Sequence, residues 1–598
     1  MQECDLVMKG GLTSGVVYPF AITELSERFV LRQIGGTSAG AIAATLAAAA
    51  EYRRQASGNG EKAGFDQIKT LADQLASNME SMFQPTYSLS GPFRLMIASI
   101  SPLAKKRGAF SAVLREIPGV FPLQLLAFLA LAIGGGALGW FQGNIWIAFA
   151  GVLAGLLVSL GWAMAKAIGW LMSDLPEFDF GMCSGKTLRN ADHAAFGDWI
   201  AASIESVAGT GDRQRPLTIG DLEDHGISLA AMTTDLATAR PYHLPLRTKI
   251  YYFSRTEMAR LLDDKTLDYL CDPALAHTSH DPAAPGDLFQ LKSSRDFPVY
   301  LVARMSLSFP GLISGVPLWR YDDGVRTVRV EGEDKPKPEM RRCLFSDGGI
   351  SSNFPIHFFD SLMPQRPTLG ISLGEWEEAR HGTGKEKRIH IAERSIASHQ
   401  MPVRPVKGLG GFAGSIVNTA KDWQDNMQSM MPGYADRIVT VLLDPDKEGG
   451  MNLNMDEATI LQLQEYGRLA GKALCAKFDY EQGGTGFDQH RYLRAISLLP
   501  KLEEALEGFD EAMRNGPVGV KNAMTGRAVL TGFASQSYTS LPSSWRKGPL
   551  ASFADALAKL GKNAKDNPDA NVHGRDGLPK VDAAIRLTAI ADRDAGDS

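Results

Sequence analysis

Residues Phe29 to Glu51 read FVLRQIGGTSAGAIAATLAAAAE. A short apolar run (Phe29, Val30, Leu31, Ile34) meets Gly35-Gly36-Thr37-Ser38-Ala39-Gly40, and an alanine-rich run follows. The order predicts strand, sharp turn, helix. Gly36-x-Ser38-x-Gly40 matches the G-x-S-x-G pattern of a nucleophile elbow. Glycines on either side of the serine permit strained dihedrals and close packing. Ser38 would stand at the tip, against the N-terminus of the next helix, where backbone N–H groups favour developing negative charge. Ala41, Ala43, Ala44 and Ala47 to Ala50 are strong helix formers of little bulk, suited to lie close against a sheet. The pattern alone also fits a plain strand-to-helix turn with an incidental serine.

Upstream, residues 5–25 read DLVMKGGLTSGVVYPFAITEL. Leu6-Val7-Met8 predicts a short strand, and Gly10-Gly11-Leu12-Thr13-Ser14-Gly15 a glycine-rich loop. Val16 to Leu25 carries helix periodicity, with Pro19 tolerable in the first turn. Such a loop between strand and helix presents consecutive N–H groups that can hold a phosphate or an oxyanion. G-x-x-x-x-G-K-[ST] and G-x-G-x-x-G are both absent, which argues against a nucleotide; a tight turn with no ligand remains open.

Across its 598 residues the chain is 44% hydrophobic and 22% charged with a net charge of −5, which gives no reason to expect nucleic acid as a partner. The length allows several domains or one large domain with insertions. Five scattered cysteines (Cys4, Cys183, Cys271, Cys343, Cys475) show no metal-ligand or disulfide spacing, so a reducing compartment is expected. Glu3 and Asp5 precede the first strand at once, and no secretory signal is read there. His277 to His280 (HTSH) lacks further ligands and reads as solvated, so no metal or other cofactor is expected. Glu375, Glu377 and Glu378 read as a solvated face.

Downstream, Ile117 to Ala165 contains no Asp, Glu, Lys, Arg or His. A membrane helix needs about 20 apolar residues. The run holds two, Val120 to Phe141 and Ile145 to Ala165, joined at Gln142-Gly143-Asn144 with Trp140 and Trp146 flanking the turn. Gly134, Gly135, Gly136, Gly151, Gly155 and Gly161 suit helix packing in lipid. A hairpin leaves both flanks on one side. Lys105, Lys106, Arg107, Arg115 and Lys166 make that side the cytoplasmic one and favour anionic headgroups.

Residues 51–64 read as a polar loop and Phe65 to Met82 as a helix. Ile227 to Thr233, Lys249 to Phe253, Thr368 to Leu373 and Ile438 to Leu443 read as strands, with a loop at Thr234 to Pro241, and Ala458 to Phe478 as an amphipathic helix. Residues 331–340 read as a charged surface loop. Cys343-Leu344-Phe345 predicts a strand that ends at Asp347-Gly348-Gly349. An aspartate at the carboxyl end of a strand in an open α/β sheet lies where such sheets bind ligands, although Asp-Gly-Gly is also a common turn.

The three motifs together are more specific than any one. An α/β-hydrolase places several strands before its serine and needs a later histidine. Here one strand precedes Ser38, though His357 and His390 keep that scheme formally open. A Ser-Asp dyad remains, with Asp347 accepting the serine proton and the N–H groups of Gly10, Gly11 and Leu12 holding the oxyanion.

In these motifs the chain resembles the patatin-like phospholipase family: a glycine-rich loop (Gly10 to Gly15), then Gly36-Thr37-Ser38-Ala39-Gly40, then Asp347-Gly348-Gly349. Ala303 to Gly311 (ARMSLSFPG), Asn353 and Pro355 extend the likeness. The resemblance implies a three-layer α/β/α fold, related to that of cytosolic phospholipases, and metal-free hydrolysis of lipid acyl esters by Ser38 and Asp347. Two positions depart from the family loop: Leu12 replaces a glycine and Ser14 a basic residue.

The expected organisation is a hydrolase domain at residues 1–110 and 175–480, an inserted transmembrane hairpin at 117–170, and a helical and loop region at 481–598 with a partly disordered tail. The expected protein is a two-span membrane lipid acyl hydrolase with a cytoplasmic catalytic domain, acting on membrane phospholipid or another acyl lipid. A catalytically idle scaffold of the same fold, or a transacylase or thioesterase using the same dyad, are the alternatives.

Overall fold

The computed structural model describes the chain except residues 12–14, 59, 101–107, 329–330, 333–336, 393–402, 404–405, 407, 430–432, 446, 449–454, 520–522, 533–545 and 567–598. Strand β1 (Gln2–Met8) leads through helix α1 (Tyr18–Ser26) to β2 (Phe29–Gly36), and β2 into α2 (Ala39–Ala56) and α3 (Ala63–Met82). Helices α4 (Ser90–Ile100) and α5 (Ala109–Val120) precede the apolar pair α6 (Pro122–Phe141) and α7 (Ile145–Gly169). Then come β3 (Gly181–Cys183), α8 (Phe196–Ala208), β4 (Ser228–Asp235), β5 (Arg240–Leu244), β6 (Tyr252–Ser254), β7 (Ala276–His277) and β8 (Leu288–Gln290). Helix α9 (Val299–Ser306) is followed by β9 (Gly311–Ile313), β10 (Val316–Val328), β11 (Lys337–Asp347), β12 (Thr368–Glu375) and β13 (Ile389–Ile391). Helix α10 (Gly408–Ser429), β14 (Ile438–Leu443), α11 (Glu457–Phe478), α12 (Gly486–Arg514) and α13 (Ala551–Asp566) complete the described chain.

The protein is α/β. Its main sheet runs β13-β14-β12-β1-β2-β4-β11-β10-β6-β8-β7, with β5 added to β4. Strands β14, β12, β1, β2 and β4 are parallel. From β11 onward the pairing is antiparallel. Alternation along β1 divides the core: Leu6 and Met8 join the large cluster that includes α1, α2 and α11, while Val7 packs with Phe354, Ile356, Tyr434 and Ile438 on the opposite face. Close approach of α11 to α1 depends on glycine: a Cβ at Gly467 would sit 2.1 Å from the Val17 carbonyl oxygen. Beyond the sheet, α12 is tied back through Arg494 to Asp360 at 3.2 Å.

Helices α6 and α7 are long and apolar enough to cross a membrane, and nearly all of their surface is exposed. They pack on each other where side chains are absent. A Cβ on Gly135 would lie 2.6 Å from the Cα of Gly151, and one on Gly155 would lie 3.0 Å from the Phe128 carbonyl oxygen. Gly134, Gly136 and Gly161, read from the sequence as packing glycines, instead face open space. At the base of the pair, Lys166 donates to the Val120 carbonyl (2.9 Å) and Trp170 packs against Gly91 of α4. Lys105, Lys106 and Arg107, three of the five cations behind the orientation reading, lie outside the described residues.

Several local readings change. The polar run after Glu51 is helical to Ala56, because Glu51 and Arg54 form a buried ion pair that also satisfies the Leu31 N–H and the Ser26 and Phe29 carbonyls. The loop read at Thr234 to Pro241 is a β4–β5 hairpin. Lys337 to Met340, read as loop, continues β11 in its pairing with β10. The apolar run at Pro298 to Ser306 is helix α9.

Candidate active site

Ser38 follows the last residue of β2 by two positions and caps α2 with φ 56° and ψ −126°. A non-glycine residue in that region is strained and needs its surroundings to hold it. The neighbouring glycines supply them. A Cβ on Gly36 would fall 2.3 Å from the Gly40 carbonyl oxygen, and one on Gly40 would fall 2.3 Å from that of Met8. The elbow is therefore pressed between its own helix and the end of β1. The Ser38 N–H donates to Ser306 Oγ at 3.0 Å.

Asp347 ends β11, but that strand runs antiparallel to β4. The general rule about carboxyl ends of parallel strands does not apply to it. Its position comes from where β11 stops: Asp347 pairs with Thr233, and Gly36 of β2 pairs with Ala231 two residues earlier in β4. Ser38, two residues beyond Gly36, reaches the same level on the other side of β4. Two strand spacings of about 4.8 Å separate the backbones, a gap that two side chains can close.

The carboxyl of Asp347 is 3% exposed. Burial pushes its pKa up to about 6, while the Ser38 hydroxyl, the Gly349 N–H and the Lys421 charge restrain that rise. Oδ1 accepts from the Gly349 N–H at 2.6 Å. Oδ2 is buried with no hydrogen bond from the described residues, and the nearby Ser38 hydroxyl favours the charged carboxylate. Catalytic hydrogen bonds are often long until substrate arrives. The Asp347 N–H donates to the Ser308 carbonyl (2.9 Å), and a Cβ on Gly348 would fall 2.1 Å from the Met232 carbonyl oxygen.

The glycine-rich loop joins the same centre at its first residue. Gly10 donates its N–H to the Asn353 carbonyl at 2.9 Å, and a Cβ there would meet Asn353 Oδ1 at 2.2 Å. The Gly10 N–H is thus engaged in the structure. Gly11 is half-buried, Leu12 and Ser14 lie outside the described residues, and Gly15 lines an apolar cleft. Asn353 links this loop to the Asp347 turn and is itself held by Asp425 of α10, which accepts its N–H at 2.9 Å. Ala39, the first residue of α2, offers a further N–H at a position where helices leave donors unmatched.

A narrow apolar cleft, open at its mouth, runs between α1, α2, α3 and α8. It begins at Ala39 and Leu307, each one residue from Ser38 and Ser306, and extends past Ile42 and Leu46 to Met79 and Phe83.

The sequence reading missed the role of α9. Arg304 is buried, and it donates to Ser308 Oγ (2.8 Å) and to the Ser184 and Ser314 carbonyls. One turn of chain thereby holds Ser38 through Ser306 and Asp347 through Ser308. The available signal was a lone arginine inside the apolar run PVYLVARMS. Neither histidine joins the pair: His357 hydrogen-bonds Gln428 at 3.1 Å, and His390 lies on β13, four strands from β2. His277, read as solvated, bonds the Tyr321 hydroxyl at 2.8 Å and packs against the Tyr252 ring.

No family model matches the chain. The RpoH suppressor of Rhizobium meliloti (strain 1021) is 32% identical over 563 residues, covering 84% of this chain and 85% of the relative. The chain belongs to the RpoH suppressor family. That name specifies neither a reaction nor a substrate. Among solved structures, VipD from Legionella pneumophila aligns over 94% of this chain and 88% of its own at 12% identity, but its TM-score of 0.30 carries no argument. In this RpoH suppressor relative the functional reading therefore rests on the site itself.

Proposed function

We propose that the chain is a membrane-anchored serine lipid acyl hydrolase of patatin-like fold, with Ser38 as nucleophile and Asp347 as general base. The observation that carries the reading is the strained Ser38 elbow standing level with a buried carboxyl raised to about 6, across a single strand. A carboxylate near that value is basic enough to take the serine proton and is ionised at neutral pH.

Ser38 Oγ attacks the ester carbonyl carbon as its proton passes to Asp347. The oxyanion is assigned to the N–H of Ala39 and, as the sequence reading has it, to the glycine-rich loop at Gly11 and Leu12, Gly10 being committed to Asn353. The proton then leaves with the alcohol, and water, deprotonated by Asp347, releases the acid from the acyl-enzyme. The apolar cleft beginning at Ala39 accommodates a hydrocarbon chain on the acyl side. In this reading the apolar helix pair spans the bilayer twice, and the basic residues that flank it in sequence favour a cytoplasmic catalytic domain.

The idle-scaffold reading draws its support from the engaged Gly10 N–H, which leaves the oxyanion donors to a shorter set. Labelling with a fluorophosphonate probe decides between them. The hydrolase reading expects labelling of the wild type and none of Ser38→Ala; a folded wild-type protein that never labels on mixed lipid removes it. Adding an alcohol or lysolipid acceptor to the assay separates hydrolysis from transacylation.

A further inference from the structure

We infer that α10 is an interfacial helix that lays an apolar stripe on the bilayer beside the Asp347 turn. The inference rests on the lipid-hydrolase reading for its purpose, but not for its geometry.

One face of α10 is bolted to the site. Asp425 accepts from the Ser352 hydroxyl (2.8 Å) and from the Asn353 and Phe354 N–H groups (both 2.9 Å). Gln428 hydrogen-bonds His357, and Lys421 acts on the Asp347 carboxyl. The opposite face is apolar. Phe412, Ile416, Trp423 and Met427 recur at helical spacing, and each is more than half exposed. Trp423 and Asp425 are two residues apart, hence about 200° apart around the helix. The helix is therefore fixed through its polar side and turns its apolar side outward, with no described residue covering it.

Three features choose lipid as the occupant. Four half-exposed side chains offer less than the ~800 Å² per partner of a stable protein interface, whereas shallow insertion into lipid has no such threshold. The stripe combines Trp and Phe with Ile and Met, and Lys421 stands on the opposite, polar side, a division suited to the headgroup boundary. The same chain also carries α6 and α7, whose exposed apolar surface already calls for a bilayer.

The test uses the full chain, one copy per phosphatidylethanolamine/phosphatidylglycerol nanodisc. All five native cysteines are buried, so nitroxides can be directed to Ile416→Cys and Met427→Cys on the stripe, and to Asn418→Cys as an exposed control on the opposite, polar side. Insertion predicts that collision with oxygen, relative to a water-soluble nickel chelate, rises several-fold at 416 and 427 over 418. Equal, water-like ratios at all three overturn the inference. So does shielding of 416 and 427 from both relaxants, which would mean that protein covers the stripe. A second readout is kinetic: Trp423→Glu should lower turnover of vesicle lipid several-fold and leave a soluble short-chain ester unchanged. If Ser38→Ala retains full lipid turnover, the hydrolase reading fails while the nitroxide result still stands or falls alone.

Discussion

The two halves of the sheet deliver their functional groups in different ways. In the parallel half, Ser38 comes from one contiguous strand–turn–helix in which each glycine has a visible steric reason. In the antiparallel half, Asp347 arrives through a hairpin, and its place is fixed by where β11 ends against β4 and by the carbonyl of Ser308. The first site is local and self-contained. The second is assembled from distant segments, and α9 is the piece that touches both. This difference teaches that the elbow should tolerate little change in itself, while the acid should be sensitive to changes several residues away.

The largest effect should come from Ser38→Ala, with complete loss of probe labelling and of fatty acid release. Retained release would break the assignment of the parallel half outright. Asp347→Asn should lower kcat by about 10²–10⁴ while raising stability at neutral pH. The sign follows from the shift: the buried carboxyl holds its proton to about 6 against 3.8 ordinarily, so the folded form is favoured fully below pH 3.8 and that advantage is lost as pH rises through 6. At pH 7–8 the asparagine removes a penalty of up to roughly 3 kcal/mol. Denaturation at pH 7.5 should thus favour the variant, and at pH 3.5 the gain should vanish. A variant destabilised at pH 7.5 would show that the carboxylate is better compensated than its burial suggests.

Next in size, Gly348→Ala places a methyl against the Met232 carbonyl and should cost about 1–3 kcal/mol, read as a lower Tm together with lower activity. Wild-type kcat/KM should fall about tenfold per pH unit below 6 as Asp347 is protonated; a flat profile down to pH 5 would deny it the role of base. The smallest effect belongs to the linker between the halves. Ser306→Ala removes the acceptor of the Ser38 N–H and should cost about 1 kcal/mol, with kcat reduced more than KM is raised. An unchanged kcat would mean that the elbow is held by its glycines alone.

Much of the elbow was legible because its determinants are neighbours in sequence. The apolar run, the glycines and the alanine-rich helix each act within a few residues. The apolar pair α6–α7 was legible for a similar reason, since length and absence of charge are sums over one stretch. The direction of β11 was not legible. Asp-Gly-Gly looks the same after a parallel or an antiparallel strand. The polar string after Glu51 misled because polarity signals a loop only when the groups reach water, and Glu51 and Arg54 satisfy each other in the core.

By itself, then, the sequence determined that Ser38 sits in a strained turn between strand and helix, and that two stretches are apolar enough for a bilayer. Both follow from local sterics and local hydropathy. Only the tertiary structure decided that Asp347 stands level with Ser38, that Arg304 and Ser306 support them, and that Asn353 occupies the Gly10 N–H. Those facts depend on strand register and on the packing of segments hundreds of residues apart. No local propensity encodes them, because each contact acquires its value only when its partner is already in place.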